Sequence, residues 1–213
     1  MESALRGRAA SNMLRVKSKF KVAKRLGAGI YEKTQTQKFA LSEARTAKAK
    51  KGRPRGLSDF GKQMLEKQKV RYTYGLTEHQ FRRYIDSAMK VIDSPKAIHT
   101  ALELRLDSVV YRAGLAPTRN AARQMVSHGH ITVNGRRANT PSHKLAVGDT
   151  FAVREGSKRS VLFIGEGTDE SSHIPSWVTF DRGTLAGSVI AEPTYSPLTV
   201  GFDYPTVFEF YSR

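Results

Sequence analysis

The sequence contains no cysteine, which excludes disulfides and every thiolate-ligated zinc site. No metal or other cofactor is expected. No stretch approaches the roughly 20 consecutive apolar residues that a membrane span needs, and the N-terminus lacks the apolar core of a secretory signal. No membrane association is expected, and the cytoplasm is the default location. Acidic residues are scarce: 19 Asp and Glu stand against 36 Lys and Arg, a formal net charge of +17. A surplus of that size repels itself unless something acidic is near, which points to nucleic acid, an anionic membrane surface or an acidic protein. The 213 residues suffice to bury a real core, as one domain with insertions or as two small ones.

The charge is uneven. Residues 1–60 carry a net +12, whereas residues 156–213 carry a net −3. Lys48, Lys50, Lys51, Arg53 and Arg55 lie among Ala, Gly and Pro, which cannot build a core, so phosphate neutralisation explains this run better than an inert tail. Residues 1–56 have the basic composition of a mitochondrial transit peptide, but Gly, Gln and Glu interrupt any amphipathic pattern there. They read as an irregular basic arm with one short helix.

Helical signals begin at Ser58, a good N-cap, and run to Gly75, a left-handed stop. Thr77 and Gln80 form a capping box, with Leu76 and Phe81 as a hydrophobic staple. Phe81, Tyr84, Ile85, Ala88, Met89 and Ile92 recur at helical spacing as one apolar face. Ser94-Pro95 starts a third helix. A fourth is expected over about 102–113, with Leu102, Leu106, Val109, Val110 and Ala113 inward and Arg105, Ser108 and Arg112 on another face. A fifth starts at Pro117-Thr118 and runs to about His128, with Ala122, Met125 and Val126 inward and Arg119, Arg123 and Ser127 on a shared outer face. The period then changes to two: His130–Val133 alternates and meets Asn134-Gly135, a type I′ hairpin signal. Phe151 and Val153 continue the alternation after the Gly148-Asp149 turn. Two helices on a small, strongly bent sheet are the expected module. Residues 156–213 hold β-prone runs at Ser160–Ile164, Trp177–Phe180 and Val207–Tyr211. No internal repeat is present.

If the fourth and fifth helices pack by their apolar faces, Arg105, Arg112, Arg119 and Arg123 converge around the Ala116-Pro117-Thr118 turn. The start of the fifth helix adds backbone N–H groups and a partial positive charge. Forked guanidinium donors on a rigid base suit RNA phosphates. His128, Gly129, Asn134, Arg136 and Lys144 extend the surface. The bland alternative is a set of ordinary exposed arginines.

Residues 105–153 (RLDSVVYRAGLAPTRNAARQMVSHGHITVNGRRANTPSHKLAVGDTFAV) closely resemble the RNA-binding domain named after ribosomal protein "S four", a module also found in pseudouridine synthases and tyrosyl-tRNA synthetases. The flanks discriminate. Leu57–Gly61, Glu66–Arg71, Tyr74-Gly75, Gln80–Tyr84 and the ending Phe208–Arg213 are similar to the helical domain of the ribosomal family itself. The resemblance implies an α+β fold: a mostly helical domain (57–102), an inserted two-helix plus bent-sheet RNA-binding module (103–155), and a β-rich C-terminal segment (156–213) that returns to the helical domain, all preceded by the basic arm (1–56). It implies a structural constituent of the small ribosomal subunit, not an enzyme. Such a protein binds a multi-helix junction in the 5′ part of the rRNA, nucleates assembly, touches neighbouring small-subunit proteins and lies where mRNA enters the subunit. Carried onto matching positions, the rRNA-binding residues are Arg105, Arg112, Thr118, Arg119, Arg123, Gln124, Ser127, His128 and Asn134, with Arg136 and Lys144 beside them. Gln63, Lys67, Lys69, Arg71, Arg82 and Arg83 join from the helical domain, and Lys51, Arg53 and Arg55 from the arm.

Two departures stand out. Many relatives carry N-terminal zinc-binding cysteines; here Ala23 and Thr34 stand where some bacterial relatives place them, so packing and RNA contacts must hold the region. The C-terminal part is also more acidic than the family pattern, which favours protein contacts there. Arg105-Leu106-Asp107 matches a catalytic tripeptide of some pseudouridine synthases. However, Asp107 lies on the first helix of the module, where fixing a neighbouring arginine is the better role, and about 58 residues after the module cannot supply a catalytic domain. His128 and His130 lack further ligands for a metal, Gly27-Ala28-Gly29 has no phosphate-loop continuation, and Trp177 reads as packing. The alternatives of a different class are an RNA-modifying enzyme and a free translational regulator carrying the same module.

Overall fold

The computed structural model describes residues 14, 16, 18–49, 56–164 and 174–212. The chain divides into two compact units, residues 1–95 with 196–213, and residues 96–195.

The first unit contains α1 (Lys19–Leu26), α2 (Gln37–Ala49), α3 (Asp59–Thr73), α4 (Glu78–Ala88), the short α10 (Pro197–Val200) and α11 (Tyr204–Tyr211), while the helices between α4 and α10 belong mainly to the second unit. Ser58 caps α3 by accepting from Gly61 N at 3.2 Å, and Gly75 ends that stretch at φ 60°. Thr77 and Gln80 form the expected capping box on α4, which buries Phe81, Ile85 and Ala88. Met89 and Ile92 do not join that face. The helix stops at Ala88, and Ile92 is fully exposed. The arm is more ordered than its composition suggests: Ala23, Ile30, Tyr31 and Phe39 form a core cluster, and Thr34 is buried with its hydroxyl donating to the Tyr31 carbonyl at 2.6 Å. Ala23 and Thr34 thus both lie in the interior of this region. Among the described residues there is no cluster of three or more His, Asp or Glu able to hold a metal.

The C-terminal run 207–211 is helical rather than extended. Asp203 accepts from Thr206 N at 3.2 Å and Pro205 occupies the first turn, so α11 starts with a cap that period-two reading ignores. It packs on α3 and buries Tyr204 and Val207.

In the second unit α5 (Ser94–Glu103), α6 (Leu106–Arg112) and α7 (Arg119–Ser127) precede strands β1 (Ile131–Val133), β2 (Arg136–Ala138) and β3 (Thr150–Val153). Then follow the short α8 (Glu155–Lys158) and α9 (Val161–Ile164), and β4 (Val178–Asp181) and β5 (Ala186–Val189). The sheet order is β2-β1-β3-β5-β4, and every pair is antiparallel. Asn134 and Gly135 both take positive φ, 48° and 76°, as a type I′ turn requires. Leu106, Val109 and Val110 of α6, Ala122, Met125 and Val126 of α7, and Ile131, Phe151 and Val153 of the sheet fill one core. Gly187 lets that core close, because a Cβ there would collide with the Thr179 carbonyl and the Phe151 ring.

Two expectations fail in this unit. Residues 160–164 contain a short helix rather than a strand. The single helix expected over 102–113 is interrupted: α5 ends at Glu103, and Arg105 is extended at φ −67°, ψ 139°. Neighbouring chain competes for the backbone there. The N–H groups of Leu106 and Asp107 donate to the carbonyls of His143 (2.8 Å) and Pro141 (3.2 Å), while Leu145 N donates to Leu104 O (2.9 Å). No breaker residue marks the break, so local sequence is silent on it.

Candidate nucleic-acid interface

Four arginines of the second unit converge on two buried carboxylates. Glu103, 1% exposed, ends α5; Asp107 lies in the first turn of α6. Arg112 grips Glu103 with both forks, Nε to Oε2 and Nη2 to Oε1, each at 2.8 Å. Arg119 of α7 reaches the same Oε1 at 3.2 Å, donates to Ser108 Oγ at 3.1 Å, and stacks over the Tyr111 ring at 4.7 Å. Arg105 grips Asp107 through Nε (3.0 Å) and Nη2 (2.8 Å). Arg123 reaches Asp107 Oδ2 at 2.9 Å. Asp107 therefore fixes two arginines, one from its own approach and one from α7. Four arginines thus share the carboxylates of Glu103 and Asp107 among the described residues.

The spacing of Arg119 and Arg123 predicts a shared face, but that face is not open solvent. Their side chains are 14% and 11% exposed. The carboxylates draw them back across α6. Arg105 lies beneath at 4%, and Arg112 forms the exposed edge at 37%. The bidentate pairs fix geometry; as buried ion pairs they are poor evidence of net stabilisation, since desolvation opposes the Coulomb gain.

Thr118 caps α7 by accepting from Ala121 N at 3.1 Å, and no acid occupies the helix's first turn. The partial positive charge of that terminus lies beside the guanidinium groups. Gln124, Ser127 and His128 are exposed along and just beyond α7. Asn134, Arg136 and Lys144 are exposed on the hairpin and the loop after it. The Asn134 amide is committed to the turn: it donates to Asp149 at 2.8 Å and accepts from Thr150 N at 2.9 Å. Lys144 pairs with Arg105 in an isolated β-bridge.

The residues expected from the helical domain divide. Arg82 and Arg83 are exposed on α4. Lys69 pairs with Glu66 at 3.3 Å. Gln63 and Lys67 are buried. Gln63 donates to Glu209 of α11 at 3.0 Å, and Lys67 donates to Glu78 at 2.9 Å while lying 4.2 Å above the Phe210 ring. Arg71 pairs with the same Glu78 at 3.2 Å. The docking of α11, which the sequence did not reveal as a helix, is what encloses them. Lys51, Arg53 and Arg55 lie outside the described residues.

Sequence reasoning missed Glu103 and Tyr111, and it placed Ser108 on the face of Arg105 and Arg112 without giving it a role. One signal was available for Glu103: it is the only charge between Ile98 and Leu104, a run otherwise suited to a core, and a charge buried there requires partners.

His99 lies one helical turn before Glu103, buried, with its ring 5.6 Å from that of Tyr195. Burial lowers its pKa below the ordinary 6.5; Glu103 opposes this, and Arg112 and Arg119 add to it. The unfolded chain therefore takes up a proton as pH falls past 6.5 while the folded unit does not, so stability present above that pH is lost as pH drops toward the depressed native value. Urea midpoints at pH 7.5 and 5.5 are expected to show this loss in the native chain and a smaller one in His99→Gln.

Two family models match successive parts of the chain. The family model described as "Ribosomal protein S4/S9 N-terminal domain" matches residues 15–104, and that described as "S4 domain" matches residues 104–151. The chain is 43% identical to small ribosomal subunit protein uS4 of Roseiflexus sp. (strain RS-1) over 197 residues, 91% of this chain and 96% of the relative. It is 41% identical over 198 residues to the protein of that name from Listeria welshimeri, again covering 91% and 96%.

Proposed function

From the premise that this chain belongs to the ribosomal protein S4 family, we propose that the arginine cluster of α6 and α7 is its principal contact with small-subunit rRNA. The chain is a structural, non-enzymatic constituent of the small ribosomal subunit in the cytoplasm and binds rRNA. The observation that carries the assignment to this cluster is the convergence of Arg105, Arg112, Arg119 and Arg123 around Glu103 and Asp107, beside the positive end of α7. Arg112, Arg119, Arg123, Gln124, Ser127 and His128 form the centre of the contact. Asn134, Arg136 and Lys144 extend it along the hairpin side, and Arg82 and Arg83 of α4 supply a patch on the first unit. Arg105 serves from beneath as a brace, and Gln63 and Lys67 hold α11. Phosphate and sugar contacts dominate, and RNA shape rather than base identity is read.

The finer placement follows the same reading. The chain binds early to a multi-helix junction in the 5′ part of the rRNA, nucleates assembly there, and borders the path by which mRNA enters. Sedimentation with the small subunit and a salt titration of binding to isolated rRNA test it. Log affinity is expected to fall by roughly 0.7 to 0.9 per phosphate contact for each decade of salt. A flat profile, or a chain that remains at the top of the gradient, contradicts it.

A further inference from the structure

We propose that Glu103 is a positioning residue for RNA binding: its buried carboxylate gathers Arg112 of α6 and Arg119 of α7 onto one anion and holds them as a single pre-ordered pair for RNA phosphates. The inference rests on the arginine cluster being the rRNA contact. An acid beneath a phosphate-binding surface is at first sight a liability, since it lowers the local positive potential. Geometry supplies the compensation. Two guanidinium groups brought together repel one another, and the charge of Glu103 lies between them, with both Arg112 Nη2 (2.8 Å) and Arg119 Nη2 (3.2 Å) on its Oε1. Arginine side chains have large rotamer freedom, and immobilising such a side chain on binding costs affinity. Glu103 makes that ordering a property of the free protein. Ser108 Oγ and the Tyr111 ring complete the hold on Arg119.

The two physical accounts of Glu103 predict opposite signs. If only bulk charge matters, Glu103→Gln removes a negative charge and RNA binds more tightly. If positioning matters, binding weakens although the net charge has risen. The test compares full-length native chain, Glu103→Gln, Ser108→Ala and the Arg119→Ala/Arg123→Ala double variant against small-subunit rRNA, with binding stoichiometry and thermal melting recorded for each. Glu103→Gln is expected to bind about tenfold more weakly, from two arginines that must now be ordered on binding, with full stoichiometry and an unchanged salt slope, because every cation is still present. Ser108→Ala, which changes no charge, is expected to weaken binding by about threefold through Arg119 alone. A folded Glu103→Gln that binds as tightly as the native chain, or more tightly, overturns the proposal. If Glu103→Gln fails to fold, Ser108→Ala decides: weakening supports the proposal and unchanged affinity overturns it. Loss of affinity in the arginine double variant alone means that the cluster binds RNA and only the role of Glu103 is wrong. No loss in that variant means that the underlying site assignment is wrong.

Discussion

Replacing both Arg119 and Arg123 with alanine is expected to weaken binding to small-subunit rRNA by about 100-fold at moderate salt, taking each charge-assisted contact as roughly 1.5 kcal/mol. The salt slope is expected to fall with it, by about 0.7 to 0.9 for each phosphate that is no longer neutralised. Fold loss does not account for such a result. Glu103 retains Arg112 and Asp107 retains Arg105, so neither buried carboxylate is orphaned, and the stability cost should stay near 1–2 kcal/mol. Lysine at both positions keeps the charge but removes the fork that reaches a carboxylate and a phosphate together. Its affinity is expected to lie between those of the native chain and the alanine variant, with the salt slope largely kept. A folded alanine variant with native affinity would mean that the two residues serve the protein interior alone.

Deleting residues 204–213 is expected to prevent cooperative folding of the first unit while leaving the second folded. Helix α11 buries Tyr204 and Val207 completely and partly buries Phe208, Phe210 and Tyr211. At about 1.5–3 kcal/mol for each fully buried large side chain, the stabilisation removed is on the order of 5 kcal/mol, comparable to the whole stability of a small unit. The deletion also strips polar partners from α3 and α4: Gln63 loses Glu209, Lys67 loses the Phe210 ring, and Glu78 loses the hydroxyl of Tyr211 at 2.7 Å. Amide exchange resolved by segment checks this. Protection should vanish from α3 and α4 and persist in α6, α7 and β1. Equal protection in both chains would show that α11 is dispensable. The single variant Val207→Asp should reproduce most of the effect without shortening the chain.

What the sequence revealed divides along one physical line. Features encoded by neighbours in the chain were legible. The caps at Ser58 and Thr77, the left-handed glycine at 75 and the Asn134-Gly135 hairpin are all present. Each needs only a few adjacent residues. Features set by distant partners were hidden. The break at Leu104-Arg105 is made by carbonyls of residues 141 and 143. The helix at 204–211 overrides β-prone residues because its apolar side packs on α3. Burial of Gln63 and Lys67 depends on that same helix. At the site, helical spacing located Arg119 and Arg123 but not the direction of their guanidinium groups. That direction depends on Glu103 for Arg119 and on Asp107 for Arg123, each 16 residues earlier, and their significance appears only once the helices are packed.

The most direct measurement is a cryo-EM structure of the small subunit with this chain in place, at a resolution that defines guanidinium groups. Phosphate oxygens of the rRNA should lie about 2.7–2.9 Å from guanidinium nitrogens of Arg112 and Arg119, with both side chains still on Glu103. If those two arginines instead face only protein or solvent while rRNA approaches the chain elsewhere, the cluster is not the RNA-binding surface.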